Sequence, residues 1–184
     1  MSDRAKIFAV DYHPEKGQDL VQGGGEMIAK TFKTASFANF EYVNFHSPLT
    51  FGANVSKALG RRTIDRLIIL DHGFYTYYSD AMSESYSKLE IGSTRITRKN
   101  FDAHQDDFSV IANHTDSYSR VIFLNCFAGL DTALLGKFAK LWNCAVSGSR
   151  QAENSLEIID WFKKNTYATV YPNGTSTVSS QRPT

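Results

Sequence analysis

Two apolar runs of strand length, each followed at once by a short turn, constrain the fold of this chain more than any other feature. The first run, residues 67–70, leads into an Asp-His-Gly turn that contains His72. The second run, residues 121–124, leads into an Asn-Cys-Phe-Ala-Gly turn that contains Cys126. Uninterrupted apolar runs are typical of strands buried on both faces of a parallel sheet. Because the carboxyl ends of such strands share one edge, where open α/β folds bind ligands, we expect His72 and Cys126 to meet there.

Strand-length apolar runs alternate with segments of helical period along the chain. The predicted strands are residues 6–12, 40–45, 64–71, 120–125 and 144–148. The predicted helices are residues 26–33, 54–59, part of 100–113, 130–141 and 155–164. This alternation predicts the α/β class, as a three-layer αβα sandwich with a mostly parallel central sheet.

Two hairpins interrupt that alternation. Residues 75–87 are aromatic and serine-rich, which is typical of a loop, and residues 88–97 have the Gly-Ser centre and flanking alternation of a β-hairpin. A further strand or hairpin is predicted near the C-terminal end, over residues 167–178. The length of 184 residues fits a single domain, with its core at about residues 6–165 and a frayed tail at residues 179–184.

The charge balance argues against a nucleic-acid or membrane-surface partner. Twenty basic residues stand against nineteen acidic ones, the formal charge is +1, and no basic stripe is present. No stretch approaches the ~20 apolar residues of a membrane span, and the polar residues 1–6 do not begin a secretory signal. We therefore expect a protein that is cytoplasmic or exported without an N-terminal signal peptide, with an oligomeric state that the sequence leaves open.

The two cysteines, Cys126 and Cys144, fall at strand-like runs on either side of a predicted helix, which favours reduced thiols over a disulfide. A thiol is a nucleophile only as the thiolate, and its ordinary pKa of roughly 8.5 leaves little thiolate at neutral pH. A nearby imidazole accepts the thiol proton, so His72 and Cys126 predict a nucleophile with its base. The helix expected from about Leu130 would direct its positive amino-terminal end towards Cys126. The N–H groups of Gly73 and Cys126 are candidates for an oxyanion hole.

A cysteine that ends a buried strand is also common as a small core residue. Spacing alone therefore leaves Cys126 open between a catalytic and a structural role. The remaining histidines show no metal-ligand spacing to one another or to the cysteines, so we expect no metal and no other cofactor. They are His13, His46, His104 and His114.

The order of these elements resembles that of the caspase-like (clan CD) cysteine peptidases. This superfamily includes caspases, metacaspases, gingipain- and clostripain-like enzymes, separase and self-cleaving bacterial toxin domains. The resemblance rests on the turn at residues 71–73, the hairpin at residues 88–97 and the cysteine turn at residues 124–129, and it covers roughly residues 6–150. A histidine that precedes the cysteine in the chain argues against papain-like and glutamine-amidotransferase enzymes.

The resemblance implies a cysteine endopeptidase that hydrolyses a peptide bond through a thioester. Cys126 would be the nucleophile, His72 the general acid and base, and Gly73 a donor to the oxyanion. The partner would be a protein or peptide substrate, and the chemistry would need no cofactor. The compact chain would suit a bacterial effector or toxin.

The resemblance also implies a specificity pocket beside the first strand and the strand after the cysteine. The residues that match these positions are Asp11, Ser147, Ser149 and Arg150. Arg150 would favour an acidic substrate side chain and Asp11 a basic one, so the preferred residue at the cleavage site stays open.

Two other functions fit the same sequence. One is a catalytically inactive caspase-like module that binds a protein partner, and the other is a flavodoxin-like domain that binds a small molecule at the sheet edge. The aromatic residues 74–78 would either cover the site as a lid or pack as a separate cluster.

Overall fold

A computed structural model describes residues 3–11, 39–71, 73–76, 86–151 and 166–180 of the chain, with only the backbone given for residues 73–76, 86 and 87. Seven strands form the central sheet: β1 Arg4–Asp11, β2 Glu41–Phe45, β3 Thr63–Leu70, β7 Arg120–Phe123, β8 Ala145–Ser149, β9 Tyr167–Val170 and β10 Ser176–Ser179. Three more form a small antiparallel sheet: β4 Gly73–Thr76, β5 Tyr86–Ile91 and β6 Thr94–Ile96. The helices are α1 Pro48–Leu59, α2 Gln105–Ala112 and α3 Thr132–Trp142, with 3-10 turns at Phe101–His104 and Ala128–Leu130.

The central sheet is mostly parallel, as predicted. Its strand order is β10-β9-β8-β7-β3-β1-β2. The five strands from β8 to β2 run parallel to one another, whereas β9 pairs antiparallel with β8 and forms a hairpin with β10 at one edge. The strands β3 and β7 lie side by side in the interior of the sheet, which explains the uninterrupted apolar runs in their carboxyl halves, at residues 67–70 and 121–123. The α/β class and the terminal hairpin are therefore confirmed.

The three described helices pack on one face of the sheet through a single apolar core. Large rings from α1, α2 and α3 meet there, including Phe51, Phe108, Phe138 and Trp142, all with 0% exposure. Strand side chains that point to the opposite face form a second buried cluster, which includes Ile68, Ile122 and Tyr167. None of the helices in the described part of the chain is long and apolar enough to cross a membrane.

Helix α1 begins at Pro48, six residues before the predicted start. Ser47 caps it, because the Ser47 hydroxyl accepts from the Thr50 N–H and the Thr50 hydroxyl accepts from the Ser47 N–H. Proline suits the first helical position, where its missing N–H would have no partner. This capping box carries threonine where glutamate or glutamine is usual, so the sequence signal is weak. Gly60 ends the helix, with φ of 60°.

The loop predicted over residues 75–87 is wrong at both ends. The residues at its start belong to β4 and those at its end to β5, and these two strands pair antiparallel. The predicted hairpin is confirmed, since β5 pairs with β6 around a Gly92-Ser93 turn. Residues 77–85 lie outside the described residues, as do the helices predicted over residues 26–33 and 155–164.

Candidate functional site

Four of the predicted site residues, Asp11, Cys126, Ser149 and Arg150, lie along the carboxyl edge of the parallel strands. Asp11 is the last residue of β1, Asp71 follows β3, and Asn125 and Cys126 follow β7. Ser149 ends the neighbouring strand β8. The strand order places β1, β3, β7 and β8 next to one another, so these residues belong to one continuous edge.

The strands β3 and β7 end in register with each other. Ile69 is paired with Phe123, and the Leu124 N–H donates to the Ile69 carbonyl at 2.8 Å. Two residues beyond this pairing on each strand come Asp71 and Asn125, which are 5% and 0% exposed. The two polar residues that precede His72 and Cys126 are therefore buried at equivalent positions of adjacent strands.

The chain turns sharply after Cys126, which is half-buried. Phe127 has φ of 59° and ψ of 11°, a left-handed conformation that is uncommon for a bulky residue. Two hydrogen bonds hold the turn, from the Phe127 N–H to the Gln151 carbonyl at 3.1 Å and from the Ala128 N–H to the Asn125 carbonyl at 3.2 Å. Strained backbone of this kind concentrates at functional sites, where the surrounding structure holds it in place.

Helix α3 begins two residues later than predicted, at Thr132, and a 3-10 turn separates it from the cysteine turn. The Asp131 carboxylate caps it by accepting from the Leu134 N–H at 2.9 Å. The other Asp131 oxygen lies 3.9 Å from the Arg98 Nε, and the Asp131 side chain is 2% exposed. A carboxylate at this end offsets the positive pole of the helix, so α3 contributes less positive potential near Cys126 than the sequence predicts.

The small antiparallel sheet is hydrogen-bonded to three strand ends. The Asp71 carboxylate accepts from the Gly92 N–H at 2.7 Å, and the Asn125 amide donates to the Glu90 carbonyl at 3.1 Å. The Ser93 N–H donates to the carbonyl of His46, the residue after β2, at 3.1 Å. Sequence reasoning did not single out Asp71, Asn125 or His46. The signal that marks the first two is a polar residue directly after an apolar run, repeated on adjacent strands.

His46 also lies near a predicted site residue. Its Nδ1 is 3.9 Å from the Asp11 Oδ1, and the two side chains are 45% and 11% exposed. Phe45 pairs with Asp11, so His46 extends β2 one residue past the end of β1. The pair places a carboxylate and an imidazole at the same edge as Cys126.

No protein-family model matches this chain. No curated protein sequence matches it either.

The substrate-binding candidates on and after β8 differ in accessibility. The Ser147 hydroxyl lies 2.8 Å from the Thr169 hydroxyl within the sheet, and Ser147 is 2% exposed. Ser149 is 0% exposed, and its hydroxyl accepts from the Gln151 N–H at 3.3 Å. Arg150 is exposed, and its side-chain stem lies against Gly129 in the cysteine turn. Among these three, Arg150 is the one that presents a charged group to solvent, and its stem contacts the cysteine turn.

The two cysteines have different environments, and neither forms a disulfide. Cys144 is fully buried in the core, and burial raises the pKa of its thiol to about 12. Cys126 lies half-buried at the sheet edge. The buried thiol is unsuited to chemistry at neutral pH because it stays protonated.

His72 lies outside the described residues, but the chain on both sides of it is described. Asp71 precedes it, and Gly73, which follows it, begins β4 and pairs with Leu89 of β5. The pairing of His72 with Cys126 thus stays a prediction. Among the described residues, no three His, Cys, Asp or Glu side chains are placed to share a metal ion.

Proposed function

We propose that the chain is a cysteine endopeptidase in which Cys126 attacks a peptide carbonyl with His72 as general acid and base. One observation carries the proposal, namely the register between Ile69 of β3 and Phe123 of β7. His72 is the third residue after Ile69, and Cys126 is the third residue after Phe123. In parallel strands that end in register, residues at equal distances beyond the last paired residues are expected to lie side by side at the carboxyl edge of the sheet.

The proposed reaction needs only groups of the chain and one water molecule. The Cys126 sulfur attacks the carbonyl carbon as the thiolate, after His72 has taken the thiol proton. The N–H of Gly73 donates to the oxyanion of the tetrahedral intermediate. His72 then gives its proton to the leaving amine as the thioester forms. Water attacks the thioester, releases the acid product and restores the thiol.

The charged residues along the edge suggest how a substrate is selected. Asp11 lies on one side of the His72 and Cys126 strand ends and Arg150 on the other, because β1 and β8 flank β3 and β7. The hydroxyls of Ser147 and Ser149 have partners inside the protein. We therefore propose that Asp11 and Arg150 contact the substrate by charge, whereas the two serines shape the wall behind it.

The order of elements supports the caspase-like resemblance. A strand that ends before His72 is followed by an antiparallel hairpin, a helix and a strand that ends before Cys126. We propose a reducing compartment such as the cytoplasm as the working environment, since the reaction requires Cys126 as a thiol.

The reactivity of the two thiols tests the proposal. Intact protein is treated with iodoacetamide between pH 5 and 10, and each cysteine is quantified by mass spectrometry. We expect Cys126 to be alkylated with a midpoint well below the roughly 8.5 of an ordinary thiol, and Cys144 to remain unlabelled. The substitution His72→Ala should move the Cys126 midpoint to that ordinary value, and Cys144→Ala is the matched control that should leave it unchanged.

Cleavage itself is measured on a proteome-derived peptide library. New amino termini should appear with the wild type and with Cys144→Ala, and they should be absent with Cys126→Ala and His72→Ala. The residue before each cut reports whether Asp11 or Arg150 dominates selection. An ordinary thiol midpoint for Cys126, together with no cleavage by the wild type, would refute the proposed function.

A further inference from the structure

One short segment of the small sheet is bonded to the chain next to both proposed catalytic residues. This segment, residues 89–92, spans the end of β5 and the first residue of the turn to β6. The Gly92 N–H donates to the Asp71 carboxylate at 2.7 Å, and the Glu90 carbonyl accepts from the Asn125 amide at 3.1 Å. The Gly92 N–H and the Glu90 carbonyl are only two residues apart in the chain, so the ends of β3 and β7 are bonded to the same short piece of backbone.

The same segment holds both neighbours of His72. Asp71 precedes His72 and bonds to Gly92, whereas Gly73 follows His72 and pairs with Leu89 in the antiparallel ladder. Asn125 precedes Cys126 and bonds to Glu90, which lies between those two attachment points. The backbone on either side of His72 and the backbone that leads to Cys126 are therefore bonded to the same segment.

The 89–92 segment is itself held by the apolar core and by the end of β2. Leu89 and Ile91 are 0% exposed and belong to the main apolar core. Gly92 has φ of 62°, and a Cβ added to it would lie 2.0 Å from the His46 carbonyl. Only glycine therefore fits where the segment packs on the end of β2. A segment held in this way has little freedom to move relative to the sheet.

Stability alone is a poor reason for the two polar residues in this position. Asp71 and Asn125 are buried, and taking a carboxylate out of water costs several kcal/mol that its hydrogen bonds must offset. An apolar pair of similar volume would avoid that cost but would leave the Gly92 N–H and the Glu90 carbonyl without these bonds. Both hydrogen bonds also fix geometry, because hydrogen bonds are directional, and the bond to the Asp71 carboxylate is charge-assisted and short.

We propose that Asp71 and Asn125 are positioning residues that lock the 89–92 segment to the ends of β3 and β7 and so fix Gly73 and the chain on both sides of His72 relative to Cys126. This inference rests on the proposed function and adds to it the way in which the site is held. Neither residue needs to touch the substrate. Loss of either bond should therefore loosen the alignment of thiol and imidazole without removing a reacting group.

The experiment compares Cys126 reactivity with stability in full-length variants. The alkylation midpoint of Cys126 is measured for the wild type, Asp71→Ala, Asp71→Asn, Asn125→Ala and Asn125→Asp, alongside urea unfolding. We expect both alanine variants to move the midpoint towards that of an ordinary thiol and to slow alkylation at pH 6.5 at least tenfold. Asp71→Asn should recover part of the loss, since its amide oxygen still accepts from the Gly92 N–H.

Ser119→Ala is the matched control for a purely structural effect. Ser119 is also 0% exposed, and its hydroxyl donates to the Ile64 carbonyl at 2.7 Å, but it lies at the opposite edge of the sheet. This variant should lose stability while the Cys126 midpoint keeps its wild-type value. Should an alanine variant fail to fold, the Asp71→Asn and Asn125→Asp proteins carry the comparison.

Two results would overturn the inference, and they differ. If the Asp71 and Asn125 variants lose stability but keep the wild-type midpoint, the two residues are structural only and the proposed function stands. If the wild type itself shows an ordinary midpoint that His72→Ala does not change, both the positioning role and the proposed function are wrong.

Discussion

Gly129 and Gly148 pack backbone against backbone where the cysteine turn meets β8. A Cβ added to Gly129 would lie 2.2 Å from the Gly148 carbonyl oxygen, and one added to Gly148 would lie 2.8 Å from the Gly129 nitrogen. Real Cβ atoms do not approach backbone this closely, so a side chain at either position forces the turn away from the strand. The close approach holds the cysteine turn against β8.

Alanine at either of these glycines should destabilise the protein. For Gly129→Ala and Gly148→Ala we expect the free energy of unfolding to fall by about 1–3 kcal/mol, because overpacking displaces the backbone. Urea unfolding followed by circular dichroism measures the change. Gly136→Ala is the control. Gly136 lies in helix α3, and a Cβ added to it would meet only the Val170 side chain, at 3.7 Å. That variant should be neutral or more stable by about 1 kcal/mol, and equal losses for all three would contradict the packing argument.

The buried thiol of Cys144 should make stability fall at alkaline pH. Burial raises its pKa from 9.0 to about 12, so the unfolded chain loses the thiol proton first. The contribution is fully present below pH 9 and is lost as the pH rises towards 12, by up to about 1.4 kcal/mol per pH unit. Cys144→Ala removes this pH dependence, so the difference in unfolding free energy between wild type and variant should shrink above pH 9. A constant difference from pH 7 to 11 would contradict the assignment.

Acid should remove a contribution from Asp116. The Arg4 guanidinium donates to both Asp116 oxygens, at 2.8 and 3.0 Å, and lowers the Asp116 pKa from 3.8 to about 2. The stabilisation is present above pH 4 and is lost as the pH falls towards 2. Because the Asp116 side chain is 41% exposed, we expect Asp116→Asn to cost about 1 kcal/mol or less at pH 7 and nothing at pH 2.

The control for this pair is Asp102→Asn. Asp102 bonds to Lys137 at 2.8 Å, but its side chain is 72% exposed. Unfolding at pH 7 should not distinguish this variant from the wild type. A loss as large as that of Asp116→Asn would mean that exposure does not separate the two ion pairs.

The capping box of α1 should be measurable by a single substitution. Ser47→Ala removes the hydroxyl that accepts from the Thr50 N–H, and we expect a loss of about 1 kcal/mol in unfolding free energy. Leu49→Ala serves as the comparison on the same helix, because Leu49 is 65% exposed and contributes little to the core. Its effect should stay within about 0.5 kcal/mol. A larger loss for Leu49→Ala than for Ser47→Ala would contradict the assignment of the cap.

The fold was predictable where burial on both faces dictates composition. The interior strands β3 and β7 each contain an uninterrupted apolar run, at residues 67–70 and 121–123, so their place inside the sheet follows from the sequence. The start of α1 was not predictable, because its cap uses Ser47 and Thr50 rather than a serine and a glutamate. The strand β4 was missed because it is four residues long and its partner β5 begins ten residues after its end.

The site was predictable only as a pair of strand ends. His72 and Cys126 are conspicuous because each follows an apolar run. The bonds from Asp71 to Gly92 and from Asn125 to Glu90 have no local signal, since each joins positions at least 21 residues apart through a backbone atom. Any residue type supplies a backbone N–H or carbonyl, so the partner leaves no trace in the sequence.

The Phe127 N–H bonds to the Gln151 carbonyl, so the cysteine turn is completed by a residue 24 positions further along the chain. During synthesis β3 and β5 leave the ribosome first, β7 follows with Cys126, and the acceptor at residue 151 emerges last of these parts. A growing chain thus holds an unfinished turn around its thiol until β8 has joined the sheet. On the proposed function, the nucleophile gains the full support of its turn only when the chain has reached residue 151 and β8 is in place.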